Sequence, residues 1–291
     1  MQGVVKISDS RYPELLRRID SPPQELYYKG TWDSDIFTNC LAVVGSRRMT
    51  TYGRQITNKL VSEVVPGGLT IVSGFMYGID ATAHKAALDF GGRTIAVMPC
   101  GIELIHPEHQ KNLYRRILQN KGLIISEHKG NFAPVSWTYP RRNRIIAGLS
   151  QVTLIIEAAE KSGSLITARL AKKYKRRVFA VPGPLTSSVS KGTIQLIKEG
   201  AGIVSSANDL LTVYDIERDK PFKGIVPFIG LDGIEENIIN KLQEEPLEID
   251  MLARLFGLSV SKVGIAISLM QVKGILFEEA GKYYVREFYN L

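Results

Sequence analysis

The sequence predicts an α/β protein with a doubly wound, mostly parallel sheet, followed by a small winged-helix-like domain. Short apolar segments recur up to residue 205, and most are continuously apolar, as strands buried on both faces should be. Helix-like stretches separate them, and strands that alternate with helices build parallel sheets. The predicted strands are 41–44, 69–72, 94–98, 123–126, 152–156, 178–181 and 203–205. The predicted helices lie near 52–64, 79–90, 107–120, 140–149, 164–175 and 191–199.

The segments that flank this predicted core domain, residues 41–214, have a different character. Residues 1–40 contain Ser21-Pro22-Pro23 and little periodicity, so we expect an irregular N-terminal arm packed on the core. Residues 215–231 contain several prolines and glycines, which predict a linker.

Residues 232–291 predict a small domain of their own. Helices are expected near 234–243 and 249–256, and a third from about Ser259 to residue 273. Ala280-Gly281 then predicts the turn of a hairpin. Three helices followed by a hairpin is the element order of winged-helix domains.

Charge is distributed unevenly along the chain. The chain of 291 residues has 37 Lys+Arg and 29 Asp+Glu, a net charge of +8. From residue 222 onward there are seven basic and ten acidic residues, a net of −3, so the first 221 residues carry +11. This surplus favours a polyanionic partner, nucleic acid first, for the predicted sheet domain. The alternative is a surplus that serves only solubility.

Composition excludes several classes of protein. At 44% hydrophobic and 23% charged residues, the chain is neither disordered nor fibrous. Apolar runs are too short to span a bilayer, and the first residues do not resemble a secretory signal. Two cysteines, Cys40 and Cys100, are too few for a disulfide framework. We therefore expect a cytoplasmic protein with no membrane span.

Ligands of doubly wound sheets bind beyond the carboxyl ends of the strands, so the loops after the strands are the candidate sites. In the first loop, Gly45 permits close backbone approach to a phosphate at a helix start. Ser46 adds a hydroxyl, and Arg47 or Arg48 adds a bidentate fork. The glycine pattern and ribose-binding acid of dinucleotide sites are missing, so we predict no such cofactor. A plain strand-to-helix turn is the alternative.

The second loop contains Gly74 and Gly78, which also permit close backbone approach, and we include Gly74 in the predicted DNA-binding set. Asp80 and His84 follow at helical i,i+4 spacing. Such a pair could be catalytic, but no Ser or Cys nucleophile accompanies it, so a structural pair is favoured.

The third loop places three arginines, Arg141, Arg142 and Arg144, at the predicted start of helix 140–149, with Pro140 at its first position. Cations are unfavourable there because the helix dipole is positive at that end. The pattern therefore indicates an anion that the arginines share.

Three aromatic residues lie near the same helix start: Phe132, Trp137 and Tyr139. They could stack on unpaired bases, which is worth about 1–3 kcal/mol per base. The alternative is packing in the core or a lid, which is favoured for at least two of them.

The fourth loop has Ser162, Gly163 and Ser164 at a new helix start, a second place for an anion. A dense basic helix follows, of a kind that usually forms a solvated face. Its basic residues are Arg169, Lys172, Lys173, Lys175, Arg176 and Arg177.

Five segments occur in one order: VVGSRR, VSGFMYGIDATAH, YPRRNRIIAGLS, EAAEKSGSLITARLA and VFAVPGPLTSSVSKG. Together they resemble the DNA-processing protein A family (DprA, also called Smf) over about residues 12–211. The resemblance implies an extended Rossmann-like core and a single-stranded DNA-binding protein of natural transformation. Such a protein protects incoming strands, loads the RecA recombinase onto them, acts as a homodimer and has no known catalytic activity. Many members end in a winged-helix-like domain, which residues 232–291 resemble.

The resemblance also implies a positive DNA pocket, with no cofactor and no metal. Its residues would be Gly45, Ser46, Arg47, Arg48, Arg141, Arg142, Asn143 and Arg144, with Ser162, Gly163 and Ser164 lining its floor. This chain departs from the family pattern at two positions. Tyr77 stands where the family often has a basic residue, so a phosphate contact there does not carry over. Ile194 stands where the family usually has Asn, on a pocket wall.

Two other functions compete with this one. Related Rossmann-like phosphoribohydrolases process nucleotides, and Glu157 or Glu127 could supply a carboxylate, but their PGGxGTxxE pattern is missing. A winged-helix reader of duplex DNA is the second. The tail nets −3, and its third helix offers only Lys262 and Lys273, so it should bind DNA poorly. We expect it to contact a protein instead.

Overall fold

A computed structural model describes residues 1–216, 233–272 and 275–285. The chain divides into two compact units, Met1–Gly224 and Ile225–Leu291. From residue 217 onward, the predicted linker lies outside the described residues.

The first unit is built on a nine-stranded sheet with the order β1-β2-β6-β5-β4-β3-β7-β8-β9. The strands from β6 to β9 in this order are all parallel, which confirms the predicted doubly wound sheet. The strands are β1 Gln2–Lys6, β2 Glu25–Gly30, β3 Cys40–Val44, β4 Thr70–Ser73, β5 Thr94–Val97, β6 Leu123–Ser126, β7 Val152–Ile155, β8 Arg177–Ala180 and β9 Gly202–Ile203.

Helices cover both faces of this sheet. They are α1 Glu14–Arg17, α2 Thr51–Val64, α3 Ile79–Asp89, α4 Lys111–Gln119, α5 Thr138–Leu149, α6 Ser164–Lys173, α7 Lys191–Lys198 and α8 Asn208–Leu211. In β3, Ala42 and Val44 pack in the core that includes α5 and α6 residues. Leu41 and Val43 point to the opposite face, where the core includes α2 and α3 residues. Burial on both faces explains why the strands are continuously apolar.

The N-terminal arm is more regular than expected. β1 pairs antiparallel with β2, and β2 pairs antiparallel with β6, so both strands extend the sheet. The expectation of an irregular segment is therefore wrong. Val5 and Leu26 are fully buried, but most of their neighbours in β1 and β2 are exposed or half-buried. Strands with so few buried side chains lack the apolar run that marked the others.

One helix begins earlier than predicted. α5 starts at Thr138, so Pro140 is its third residue and not its first. The Thr138 hydroxyl donates to the Val135 carbonyl at 2.8 Å, which fixes the turn before the helix. Proline is tolerated there because the first four N–H groups of a helix have no acceptor within it.

The second unit has the predicted element order. Its helices are α9 Gly233–Glu244, α10 Ile249–Phe256 and α11 Val260–Val272, and its antiparallel hairpin joins β10 Leu276–Glu279 to β11 Lys282–Val285. A core that includes Ile238, Leu252 and Ile267 holds these elements together. The winged-helix assignment itself stays a prediction. Among the described residues, no single helix is long and apolar enough to cross a membrane; α10 and α11 reach that length only as a pair bent by 118°.

His84 on α3 is fully buried and serves the fold. Its Nδ1 lies 2.6 Å from the Thr94 hydroxyl oxygen, and that hydroxyl donates to the Ile71 carbonyl at 2.7 Å. Because the hydroxyl proton is used, Nδ1 must donate, which leaves Nε2 unprotonated. Nε2 is buried and has no hydrogen-bond partner in the described part of the chain. Burial lowers the pKa of His84 to about 3, with the charge of Arg142 as a smaller cause.

The free energy of unfolding should therefore depend on pH through His84 under acid conditions. The folded pKa lies below the ordinary 6.5, so the contribution of neutral His84 is present above pH 6.5 and is lost as the pH falls towards 3. We expect His84→Gln to be less stable than the natural chain at about pH 7, and this gap to narrow by about 1.4 kcal/mol per pH unit below 6.5. Urea unfolding of both proteins at about pH 7 and pH 5 measures it. A gap that does not change with pH would contradict the assignment.

Candidate nucleic-acid interface

An open cavity of about 830 Å³ lies beyond the carboxyl ends of the parallel strands. The loops after β3, β7 and β8 meet the start of α5 around it. β3 and β7 are neighbours, and the chain continues from them to opposite sides of the sheet, which makes this the topological switch point. Residues from the predicted set that line it are Gly45, Ser46, Arg47, Arg48, Arg142, Asn143, Ser162, Gly163 and Ser164.

The loop after β3 presents two exposed arginines, Arg47 and Arg48, at this cavity. Its backbone is held by Ser46, whose carbonyl accepts from the Ile79 N–H at 3.2 Å and whose Oγ accepts from the Arg48 N–H at 3.1 Å. A side chain at Gly45 would place its Cβ 2.7 Å from Ile79 Cγ1. The glycine is thus required by close packing against α3, and the two guanidinium groups are left at the surface.

The start of α6 lies on the other side of the cavity. The hydroxyl oxygens of Ser162 and Ser164 are 2.7 Å apart, and no side chain caps the helix at Gly163. The adjacent Lys161 is exposed and also lines the cavity. Asn143 on α5 reaches across to the Gly163 carbonyl at 3.4 Å. Two hydroxyls, a helix start and an ammonium group together favour a phosphate.

The arginines of α5 have internal partners. Arg144 donates to Glu127 at 2.7 Å and is only 12% exposed, and Arg141 lies 3.4 Å from the same carboxylate. The anion inferred from their unfavourable position is, for these two side chains, Glu127. Arg141 and Arg144 do not line the cavity.

Arg142 is buried, and its Nη1 donates to the carbonyls of Gly74 and Val97, which follow or end β4 and β5. A Cβ at Gly74 would lie 2.6 Å from both Arg142 Nη2 and Asp80 Oδ2. Gly74 thus makes room for two buried charged groups and does not itself line the cavity. Burial raises the pKa of Asp80 to about 6, although Arg142 opposes this shift.

The two carboxylates considered for catalysis are both engaged. Glu157 is buried and accepts from the backbone N–H of Thr50 at 2.9 Å and from its hydroxyl. Thr50 in turn caps α2 by accepting from the Gly53 N–H at 3.1 Å. Glu157 therefore orders the start of α2, as Glu127 orders the start of α5.

The aromatic residues fall in two places. Tyr139 lines the cavity, with the Arg47 guanidinium 5.0 Å from its ring centroid and its hydroxyl 2.8 Å from His106 Nε2. Phe132 and Trp137 are 38% and 49% exposed, which goes against core packing for this pair. The Phe132 ring is stacked on His128 with centroids 4.5 Å apart.

The two positions at which this chain departs from the family pattern, Tyr77 and Ile194, lie in different surroundings. Tyr77 is 44% exposed, and its ring is stacked on His109 with centroids 5.0 Å apart. Ile194 is half-buried on α7 and does not line the cavity.

Sequence reasoning did not single out several lining residues: Thr50, Met76, Lys161, Ser187, Ser188 and Val189. The last three belong to the loop after β8. The rule that ligands bind beyond strand ends would have included that loop. Lys161 stood inside a quoted motif, but a single lysine beside two serines carries little signal.

Comparison with known proteins agrees with this architecture. The family model for DNA recombination-mediator protein A matches residues 3–215. The chain belongs to this family. DNA processing protein DprA of Bacillus subtilis is 38% identical over 226 residues, which are 76% of each chain. The crystal structure of DprA from Streptococcus pneumoniae has 38% identity and a TM-score of 0.69, covering 75% of both chains.

A second solved structure is DNA processing protein A from Helicobacter pylori, whose single-stranded DNA binding mode has been described. It has 32% identity and a TM-score of 0.65 and covers 75% of this chain and all of that one. Membership in the DNA recombination-mediator protein A family confirms the resemblance seen in the sequence and the Rossmann-like fold. The family is described as one of recombination mediators, and the Helicobacter pylori relative binds single-stranded DNA, which goes against the phosphoribohydrolase alternative.

Proposed function

We propose that the cavity binds the phosphates of single-stranded DNA. The observation that carries this proposal is the convergence of Arg47, Arg48 and Lys161 with the hydroxyls of Ser162 and Ser164 at the switch point. Among the described lining residues the acidic one is Asp80, which is buried behind this surface. The Helicobacter pylori relative, which binds single-stranded DNA, supports the same ligand here.

We favour single strands over duplex as the ligand because aromatic side chains at the site can stack on unpaired bases. Tyr139 lies inside the cavity, and exposed Phe132 and Trp137 lie before the start of α5. Backbone contacts and stacking do not read sequence, so affinity should vary little between sequences.

The test is a double variant, Arg47→Ala/Lys161→Ala, measured by fluorescence anisotropy with oligothymidylate over a salt series. Each lost phosphate contact should lower the salt slope by about 0.7, so the slope should fall by about 1.4. Affinity should fall tenfold or more, which is about 1.4 kcal/mol.

The matched control is Lys85→Ala/Arg115→Ala. It removes the same charge from exposed positions on α3 and α4 that do not line the cavity. An equal loss of affinity in both variants would reduce the effect to net charge and would reject the cavity as the site.

The finer role follows from the family resemblance. We propose that the chain is a cytoplasmic homodimer that protects incoming strands during transformation and loads the RecA recombinase onto them. The second unit would then act as a winged-helix-like domain with a protein partner, in keeping with the net charge of −3 from residue 222 onward. Light scattering after size-exclusion chromatography tests the dimer, and RecA filament assembly on protected strands tests the loading.

A further inference from the structure

A second basic surface lies outside the cavity, on α6 and the strand that follows it. Residues 161–198 contain nine Lys and Arg and no Asp or Glu. Six of the nine fall between residues 169 and 177. The first residue of α6, Ser164, lines the cavity, and the helix runs from there to the amino end of β8. A basic face, from Arg169 onward, therefore lies on the helix that begins at the cavity.

The free cations of this face can be separated from the paired ones. Lys172 lies 3.4 Å from Glu199, and Lys173 forms an ion pair with Asp20. Arg169, Lys175 and Arg177 are exposed and form no ion pair within the described ranges, although the charge of Arg169 also acts on Glu199. Lys175 and Arg177, two positions apart, repel each other unless an anion is present.

The face ends in a groove of about 280 Å³ at the edge of the sheet. Its lining residues in the described part of the chain are Lys172, Arg176, Arg177, Val178, Phe179, Gly200 and Gly202. The set includes three cations and one aromatic ring and no carboxylate. A Cβ at Gly202 would lie 2.6 Å from the Phe179 ring, so the glycine lets this ring lie close against β9. Cationic walls beside a half-buried ring suit a phosphate with a sugar or base.

The groove is within reach of a strand held in the cavity. Lys172 is eight positions after Ser164 along α6, a rise of about 12 Å. A nucleic-acid strand that follows the exposed side of this helix would pass Arg169 before it reached Arg177.

We propose that Arg169 and Arg177, which we call the α6 track, bind the phosphates of the single strand that leaves the cavity. The proposal rests on the proposed function of the cavity and adds a second binding segment to it. From the sequence alone, the dense basic helix is interpreted as a solvated face. The proposal assigns a specific ligand to this helix instead.

The experiment uses the full chain and the variant Arg169→Ala/Arg177→Ala. Both side chains are exposed and form no ion pair within the described part of the chain, so the variant should fold normally. Oligothymidylates from about 4 to about 16 nucleotides, the range of site sizes known for single-strand grooves, are the probes. We expect unchanged affinity for the shortest oligomers and a loss of about tenfold for the longest. The salt slope for the longest should fall by about 1.4, for two contacts.

Lys85→Ala/Arg115→Ala is again the charge-matched control. Its affinity relative to the natural chain should be the same for every oligomer length. Equal losses for short and long oligomers, or a track variant that matches this control, would overturn the α6 track. The cavity variant Arg47→Ala/Lys161→Ala separates the two proposals. If the cavity variant loses affinity for short oligomers while the track variant binds long oligomers normally, only the α6 track proposal is rejected. If it binds short oligomers normally, the proposed function of the cavity fails.

Discussion

Replacement of Arg142 by methionine should lower the free energy of unfolding of the first unit by about 3–5 kcal/mol, the cost of removing one partner from a buried charged network. The side chain is 3% exposed and donates to the carbonyls of Gly74 and Val97. Methionine fills similar volume but leaves both oxygens without that donor, at about 1–3 kcal/mol each. It also leaves buried Asp80 without its cation. Urea unfolding at neutral pH measures the loss.

The loss should itself depend on pH. The folded pKa of Asp80, about 6, is above its ordinary value of 3.8, so its favourable contribution is present below 3.8 and is lost as the pH rises through 6. Without Arg142 the ionised carboxylate is costlier still. The deficit of Arg142→Met should therefore be larger at about pH 8 than at about pH 5.

Arg141→Met is the matched control. Arg141 is 53% exposed and next to Arg142 on the same helix, and Glu127 keeps Arg144 as its closer partner, so the substitution should cost about 0–1 kcal/mol. Similar losses for the two variants would show that the buried contacts of Arg142 do not hold α5 to the sheet.

The second large effect is expected at Gly78. Its φ is +70°, a region that L side chains rarely adopt, and a Cβ there would lie 2.3 Å from the Ser46 carbonyl oxygen. Gly78→Ala should cost about 1–2 kcal/mol for the backbone and about 1–3 kcal/mol for the clash. To relieve the clash the loop after β3 must move, and Arg47 moves with it. We expect single-stranded DNA affinity to fall about tenfold, or 1.4 kcal/mol.

Gly91→Ala separates the two causes. Gly91 has φ +71°, but a Cβ there meets nothing within 4 Å. It should show the backbone cost alone and bind DNA normally. A Gly78→Ala protein that binds DNA as Gly91→Ala does would mean that contact with α3 does not position Arg47.

The sequence predicted the parallel part of the sheet because burial on both faces produces continuous apolar runs. It predicted six of the helices because they alternate with those runs. β1 and β2 escaped notice since Val5 and Leu26 are almost alone in being buried there. A strand with only one buried residue in every three or more has no clear periodic signal.

The site was predictable where residues belong to loops after strands. Side-chain pairing was not, because it depends on residues distant in the chain. Arg144 meets Glu127 from another element, and Arg142 reaches carbonyls at the ends of two strands. The helix dipole correctly indicated that these arginines need a partner, but it could not tell a carboxylate of the same chain from a phosphate.

The pairing of β2 with β6 also constrains how the chain folds as it is synthesised. Tyr28 lies opposite Ile125, so β2, which can pair early with β1, has its other neighbour only after almost a hundred further residues have emerged. β3 likewise lies beside β4 and β7, and Leu41 is opposite Val152. Contacts of such large sequence separation form slowly. Until β6 and β7 are available, the edges of β2 and β3 are open to other chains, and this is the interval in which the protein is most exposed to aggregation.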